Sequence, residues 1–357
     1  MASWICPRLL ELGFDDFFDA ALAALGHEDC EAARVVSDRG SLVELASTSG
    51  VNVGRLSPAL LGAAPRPVVG DWVSIRRVDA ATSVVEAILP QRTAVRRRAP
   101  GDSGTVEQVL AANVDVVFAV LGLDRDFNLR RLERLLALAW SSGAHPAVVL
   151  TKADLNTQPQ AAVAAVQELA GDVPVLVTSA VLRAGLEEVQ ALVEPGRTAV
   201  LLGSSGIGKS SLINALLASD ALEVGSVRDR DGRGRHITTA RELVEIPGAG
   251  MIIDTPGLRE VQLWLDDQSV DLLFADVHEL TAHCRFSNCR HQTEPGCAVR
   301  AALNSGTLAR ARWHAFLKLR GELAGTRDSL RDRRRHQAML RKRKFVAAAR
   351  DVESWEI

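Results

Sequence analysis

Residues 198–217 read TAVLLGSSGIGKSSLINALL, an apolar run that breaks into a glycine-rich loop and resumes as an amphipathic helix. Glycines at 203, 206 and 208 allow backbone conformations closed to residues with a Cβ, so consecutive N–H groups can converge on an anion where the helix starts. Lys209 supplies a point charge for the outer phosphates of a nucleotide, and the Ser210 hydroxyl is placed to ligate Mg²⁺. The candidate phosphate cradle is therefore Gly203, Ser204, Ser205, Gly206, Ile207, Gly208, Lys209, Ser210 and Ser211. A merely glycine-rich strand-to-helix junction is disfavoured, because the apolar strand before and the helix after are the context this motif requires.

Upstream, PAVVLTKAD at 146–154 reads as a buried strand ending in Thr151-Lys152-Ala153-Asp154, and VPVLVTSA at 173–180 as another ending in Thr178-Ser179-Ala180. Both endings resemble the base-recognition motifs of GTPases. A carboxylate at Asp154 can accept from N1–H and the exocyclic amine of guanine, whereas adenine presents an unprotonated N1. By analogy with other sites built on substrate hydrogen bonds, the mismatch disfavours adenine by roughly 10⁴. The Lys152 stem can lie along the base plane. Thr151 replaces the commoner Asn, which leaves open what makes the contact usual for that carboxamide. Downstream, MIIDTPG at 251–257 is a further apolar strand, with Asp254 placed to hold Mg²⁺ and the Gly257 amide to sense a γ-phosphate.

A third cluster, Cys284-x₄-Cys289-x-His291-x₅-Cys297, lies in a loop containing Pro295 and Gly296. Three sulfurs and one imidazole suit tetrahedral Zn²⁺ with no open position, so its role reads as structural. His278 and His283 are rival ligands by proximity.

Most GTPases place the phosphate loop first; here the two base motifs precede it. This circularly permuted order, together with the cysteine cluster, closely resembles the bacterial ribosome-small-subunit-dependent GTPase A family over nearly the whole chain. The resemblance implies a GTP hydrolase acting in late maturation of the small ribosomal subunit, stimulated by that subunit and contacting its ribosomal RNA. It selects His291 as the fourth zinc ligand and assigns an OB fold to the N-terminal region. It also makes His236-Ile237-Thr238-Thr239 the switch whose threonine, Thr238 or Thr239, completes the Mg²⁺ shell when the γ-phosphate is present. Ile237 departs from the run of threonines expected there.

The fold expected is α/β: a circularly permuted P-loop GTPase domain over 101–265, a doubly wound parallel sheet, flanked by an OB-like β-barrel within 1–100 and a helical zinc-binding domain over 266–357. With 357 residues the chain is long enough for two or three cores, and 47% hydrophobic with 24% charged residues is ordinary for a soluble globular protein. No apolar run approaches a membrane span and the acidic N-terminus lacks a signal-peptide core, so a cytoplasmic monomer without membrane contact is expected. The net charge of −2 hides residues 331–350, which carry nine Arg or Lys against one Asp, the footprint of phosphate-backbone binding.

Residues 8–26 read as a helical lead-in. The β-branched runs between 31 and 98 predict a small barrel whose one aromatic residue is Trp72; contact with RNA there would rest on Arg76, Arg77, Arg92, Arg96, Arg97 and Arg98, unless these form a merely solvated rim. Residues 99–106 form a glycine-rich joint. Beyond it, helices over 129–142, 160–170 and 185–193 alternate with continuous apolar runs, the pattern of a parallel sheet covered on both faces. Asp124, just past the first of these strands, reads as a cap or surface residue in preference to a switch-point residue.

Leu258 stands where many GTPases carry a water-orienting Gln, so unassisted hydrolysis should be slow, about 10⁻⁴ to 10⁻² s⁻¹. Water positioning then falls to His236, to an arginine of residues 228–235, or to a partner. Two other classes remain open on sequence alone: a P-loop kinase or ATPase, and a zinc-bearing RNA-binding protein with a structural nucleotide site.

Overall fold

A computed structural model describes residues 5–26, 29–39, 42–61, 66–98, 107–217, 241–255, 267–310, 312–321 and 323–324. The switch residues His236, Ile237, Thr238 and Thr239, the sensor Gly257, Leu258, the joint at 99–106 and the basic cluster at 331–350 lie outside this set. The chain divides into two compact units, one of residues 1–97 with 108–264, the other of 98–107 with 265–357.

The first unit opens with short helices α1 (Pro7–Glu11) and α2 (Asp16–Ala23). Asp15 caps α2 by accepting from the Phe17 and Phe18 amides, satisfying donors a helix start leaves free. Five strands follow, β1 (Glu31–Asp38), β2 (Leu42–Ser47), β3 (Gly50–Leu56), β4 (Trp72–Arg77) and β5 (Thr82–Ile88), with the one-turn helix α3 (Pro58–Leu61) after β3. They pair in the order β1-β2-β3-β5-β4 and close through an antiparallel β4–β1 pairing, giving the five-stranded barrel expected of an OB-like module. Val35, Val43, Leu45, Val73, Ile75 and Val85 fill it, one face of each alternating strand.

Trp72 is fully buried beneath Phe14 and Phe18, at ring separations of 4.8 and 5.8 Å, and presents no surface for stacking a base. Three of the proposed RNA-binding arginines are engaged in ion pairs: Arg76 with Glu86 and Arg77 with Glu31, both across barrel strands, and Arg92 with Asp15 while it lies over the Phe17 and Phe18 rings. For these three the barrel favours a structural use over a free basic rim. Arg34 of β1 is 1% exposed and donates to the carbonyls of Leu12, Gly70 and Asn113, joining the lead-in, the barrel and the chain beyond it. Burial lowers its pKa to about 10.

Strands β6 (Ala94–Arg98) and β7 (Glu107–Ala112) form a separate ribbon. Next come β8 (Val116–Gly122), α4 (Leu129–Ser141), β9 (His145–Thr151), α5 (Pro159–Ala170), β10 (Val175–Val177), α6 (Leu186–Ala191), β11 (Thr198–Leu202) and α7 (Lys209–Leu217), then β12 (Glu242–Glu245) and β13 (Met251–Asp254). The order β10-β9-β8-β11-β13 is parallel throughout, with β12 antiparallel at its edge and continuing through a Ser37–Glu242 pairing into the barrel. The chain runs outward from β8 to β10 and resumes at β11 on the other side of β8, so a topological switch point lies between β8 and β11. Ligands of such sheets bind outside the carboxyl ends of the strands at that place.

In the second unit, helices α8 (Asp267–Leu273), α9 (Ala275–Ala282) and α10 (Ala298–Ser305) bracket the cysteine loop, and residues 312–321 are helical. Phe274 meets Phe316 edge-on and Trp313 stacks on Phe316, both at 5.5 Å, which gives this small unit an aromatic core. Among the described residues no helix is long and apolar enough to cross a membrane.

Candidate nucleotide site and metal centre

The described nucleotide motifs sit at the carboxyl edge of the parallel sheet. Strand β11 delivers Gly203 to Gly208, and Gly208 takes φ +103°, a conformation that L side chains rarely adopt. A Cβ there would lie 3.4 Å from Thr151 Oγ1 and 3.9 Å from Lys152 Cε, so the loop and the base motif are in direct apposition. Ser204 to Gly206 are accessible, Ile207 is buried in the sheet core, and Ser210 and Ser211 stand in the first turn of α7. Lys209 donates to the Gly203 and Ser204 carbonyls at 2.8 and 2.7 Å. Burial lowers its pKa to about 8 against the opposing pull of Asp254.

This perturbation gives a signed expectation. Phosphate beside Lys209 favours the ammonium, so nucleotide binding above about pH 8 takes up a proton, and affinity falls by up to about tenfold per pH unit beyond it. Calorimetry in two buffers of different ionisation enthalpy reads the uptake directly. Affinity that stays flat to about pH 9.5 with no uptake would exclude Lys209 as the titrating group.

Thr151 resolves what its sequence left open: its hydroxyl lies 2.5 Å from the Ile207 carbonyl and 3.1 Å from that of Leu121, tying the β9 end to the phosphate loop without a carboxamide. Lys152 adopts a left-handed backbone (φ 58°, ψ 38°), a conformation that costs a non-glycine residue about 1–3 kcal/mol and persists where its surroundings fix it. Its ammonium donates to the Gly206 carbonyl at 2.7 Å and to Asp124 at 2.6 Å. Asp154 is exposed on the single turn Ala153–Leu155, and its carboxylate accepts from the Ser179 hydroxyl at 2.5 Å. The Ala153 amide donates to the Thr178 carbonyl at 3.1 Å, while Ala180 packs on the sheet core. The loops carrying residues 151–154 and 178–180 and the phosphate loop therefore converge as the permuted order requires.

At the end of β13, Asp254 is 3% exposed, and burial raises its pKa despite the nearby Lys209. Its Oδ1 has no hydrogen-bond partner among the described residues, and an orphaned buried carboxylate oxygen beside a phosphate loop fits the chemistry of a Mg²⁺ shell.

Two features escaped the sequence. Asp124 is neither a helix cap nor a free surface residue: Asn128 caps α4, and Asp124 pairs with Lys152 at the switch point. Leu155, Val181 and Leu182, at 65, 80 and 67% exposure, form an apolar rim on the two loops that meet at the Ser179–Asp154 hydrogen bond. Their signal was position alone, immediately after each base motif.

The metal donors also converge. The ligand atoms of Cys284, Cys289, His291 and Cys297 all lie within 4.8 Å of one another. His291 Nδ1 is 3.5 Å from the sulfurs of Cys284 and Cys297, which are 3.9 Å apart. Tetrahedral Zn–S bonds require sulfurs about 3.8 Å apart, so the donor set fits zinc. His278 Nδ1 is 3.7 Å from Asp271 Oδ1, and His283 Nδ1 is 2.8 Å from the Glu279 carbonyl; neither belongs to the cluster. Glu294 holds the loop by accepting from its own amide and those of Arg290, Gln292 and Thr293, which keep its carboxyl at about 2.

Comparison with known proteins agrees with this geometry. A family model described as RsgA GTPase matches residues 88–264. A small ribosomal subunit biogenesis GTPase RsgA from Opitutus terrae is 46% identical, covering 88% of this chain and 90% of its own, and one from Syntrophotalea carbinolica is 40% identical, covering 89% and 90%. Among solved structures, YjeQ from Thermotoga maritima superposes with a TM-score of 0.61 at 25% identity, covering 83% of this chain and 99% of its own. YloQ, a circularly permuted GTPase, superposes with a TM-score of 0.59 at 20% identity, covering 85% and 96%. With the two base motifs and the phosphate loop on one sheet edge, a five-stranded barrel before them and a Cys₃His cluster after, the chain belongs to the RsgA family of GTPases.

Proposed function

We propose that this chain hydrolyses GTP to GDP and phosphate as a timer for docking on and leaving the small ribosomal subunit during its late maturation, as a cytoplasmic monomer. The observation that carries this reading is the bond from Lys152 of the base motif to the Gly206 carbonyl of the phosphate loop, which makes one site of two distant stretches. Asp154, with Ser179 and Ala180 behind it, would read guanine, and the amides of residues 203–211 with Lys209 would hold the phosphates and stabilise charge on the transferring group. Ser210 and Asp254 would hold Mg²⁺, which would supply neutralisation of phosphate charge. Thr238 or Thr239 and Gly257 would respond to the γ-phosphate, with His236 or a partner orienting the water. Cys284, Cys289, His291 and Cys297 would hold one structural zinc. Three modules, 1–100, 101–265 and 266–357, would divide these tasks, the basic stretch 331–350 engaging ribosomal RNA.

The experiment is GTP turnover by the purified protein with and without small ribosomal subunits. A slow basal rate, about 10⁻⁴ to 10⁻² s⁻¹, should rise at least tenfold with the subunit. An unchanged rate would defeat the docking role. Sedimentation with subunits in GDP and in a non-hydrolysable GTP analogue should differ, and the bound fraction should fall steeply with salt.

A further inference from the structure

We propose that Asp124 is a positioning residue of the nucleotide site: it fixes the Lys152 ammonium against the phosphate loop, so that base recognition and phosphate binding are coupled through one ion pair. The proposal rests on the guanine-nucleotide reading above and adds to it a residue that no base or phosphate motif contains. Strand β8 ends at Gly122, where a Cβ would lie 2.8 Å from Asp124 Oδ1; the glycine lets the carboxylate fold back over the strand end. That same oxygen accepts from the Asp126 amide at 3.0 Å, and the Asp124 carbonyl accepts from the Phe127 amide at 3.1 Å, so the side chain is held by its own turn. The other oxygen, Oδ2, takes the Lys152 ammonium at 2.6 Å. Both side chains are about four-fifths buried, with 20 and 22% of their surface exposed, where solvent screening is weaker than at a surface pair. Burial pushes the Asp124 carboxyl up, but the Lys152 contact and the Asp126 amide outweigh it and leave the group below the usual carboxylate range.

The consequence follows from connectivity. Lys152 sits in a left-handed backbone conformation, and its ammonium also holds the Gly206 carbonyl. Without the carboxylate at 124 the ammonium loses its one charged partner among the described residues, and both the Lys152 turn and the Gly206 peptide are less firmly set. Ground-state nucleotide binding should suffer while the transferring phosphoryl group keeps its own contacts with the loop amides and Lys209.

The test is Asp124→Ala, measured by fluorescent GDP binding and by steady-state turnover. GDP and GTP affinities should both fall by about ten- to fifty-fold through faster dissociation, KM should rise in step, and kcat should stay within about twofold. Asp124→Asn, which keeps the acceptor for the Asp126 amide but not the charge, should fall between wild type and Asp124→Ala and guards against a folding defect. In a Lys152→Met background, Asp124→Ala should add no further loss, whereas independent, additive losses would overturn the proposal. Wild-type GDP affinity and dissociation rate in both Asp124 variants would overturn it equally. Failure of the wild-type protein to bind guanine nucleotides would instead overturn the reading on which it rests.

Discussion

Asp154→Asn should transfer nucleotide preference from guanine to xanthine, lowering GTP use by about 10³- to 10⁴-fold and raising XTP use toward the level the native protein shows with GTP. Guanine offers two donors, N1–H and the exocyclic amine, to a group that must therefore accept twice. An ionised carboxylate has about four lone-pair sites, and one is taken by the Ser179 hydroxyl at 2.5 Å. The asparagine amide still accepts from Ser179 through its oxygen, so the turn Ala153–Leu155 should survive the exchange. Its NH₂, however, opposes the guanine amine donor to donor, leaving a polar group unpaired, while the carbonyl of xanthine at the same position accepts from it. Turnover assays with GTP and XTP at matched concentrations read the exchange. Unchanged GTP use would show that Asp154 does not touch the base.

The second large effect concerns zinc. The helical unit has a small core around Val270, Phe274, Val277, Val299, Trp313 and Phe316, and small cores are commonly stapled by a metal. Structural zinc contributes roughly 10–16 kcal/mol in zinc-finger peptides near neutral pH, and even a part of that is more than a core this small can replace. Removing the metal with a strong chelator, or removing a ligand by Cys297→Ser, should therefore unfold this unit. Cys297 is buried and also caps α10, its sulfur accepting from the Arg300 amide at 3.4 Å, so the serine variant tests ligation and packing together; Cys289→Ser, at a site without that cap, isolates ligation. Loss of helical circular dichroism and a fluorescence change from Trp313, whose ring meets His291 edge-on at 5.5 Å, are the expected signals. GDP affinity, which depends on the other unit, should stay within about threefold. Retention of all helical signal in a metal-free sample would show that the cluster is not a structural centre.

Much of the nucleotide site was legible because a parallel sheet brings every strand's carboxyl end to one edge, whatever the order of the strands in the chain. Apolar runs ending in TKAD, TSA, GSSGIGKS and DTPG therefore named their own meeting place. Side chains whose roles depend on contacts across that edge were not legible. Asp124 acquires its role from Lys152, 28 residues away, and Thr151 from Ile207, 56 residues away; neither pairing leaves a periodicity to detect. Nothing in the sequence around Arg34 marks it as an interior residue, yet three backbone carbonyls from separate segments accept from it there. Trp72, the barrel's one aromatic residue, gave no sign in the sequence that Phe14 and Phe18 of the lead-in would cover it. The barrel was legible from the spacing of its strands, but not which strands meet at its closure, since the β4–β1 pairing joins residues far apart in sequence.

Base loops and phosphate loop, reversed in chain order, should build a single guanine-nucleotide site. Competition against fluorescent GDP on the purified protein decides whether they do. GTP and GDP should displace the probe, ATP should be weaker by about 10⁴, and Lys209→Ala and Asp154→Asn should each weaken binding of the same probe. Displacement by ATP as effective as by GTP, or loss of phosphate affinity with Lys209→Ala but none with Asp154→Asn, would contradict it.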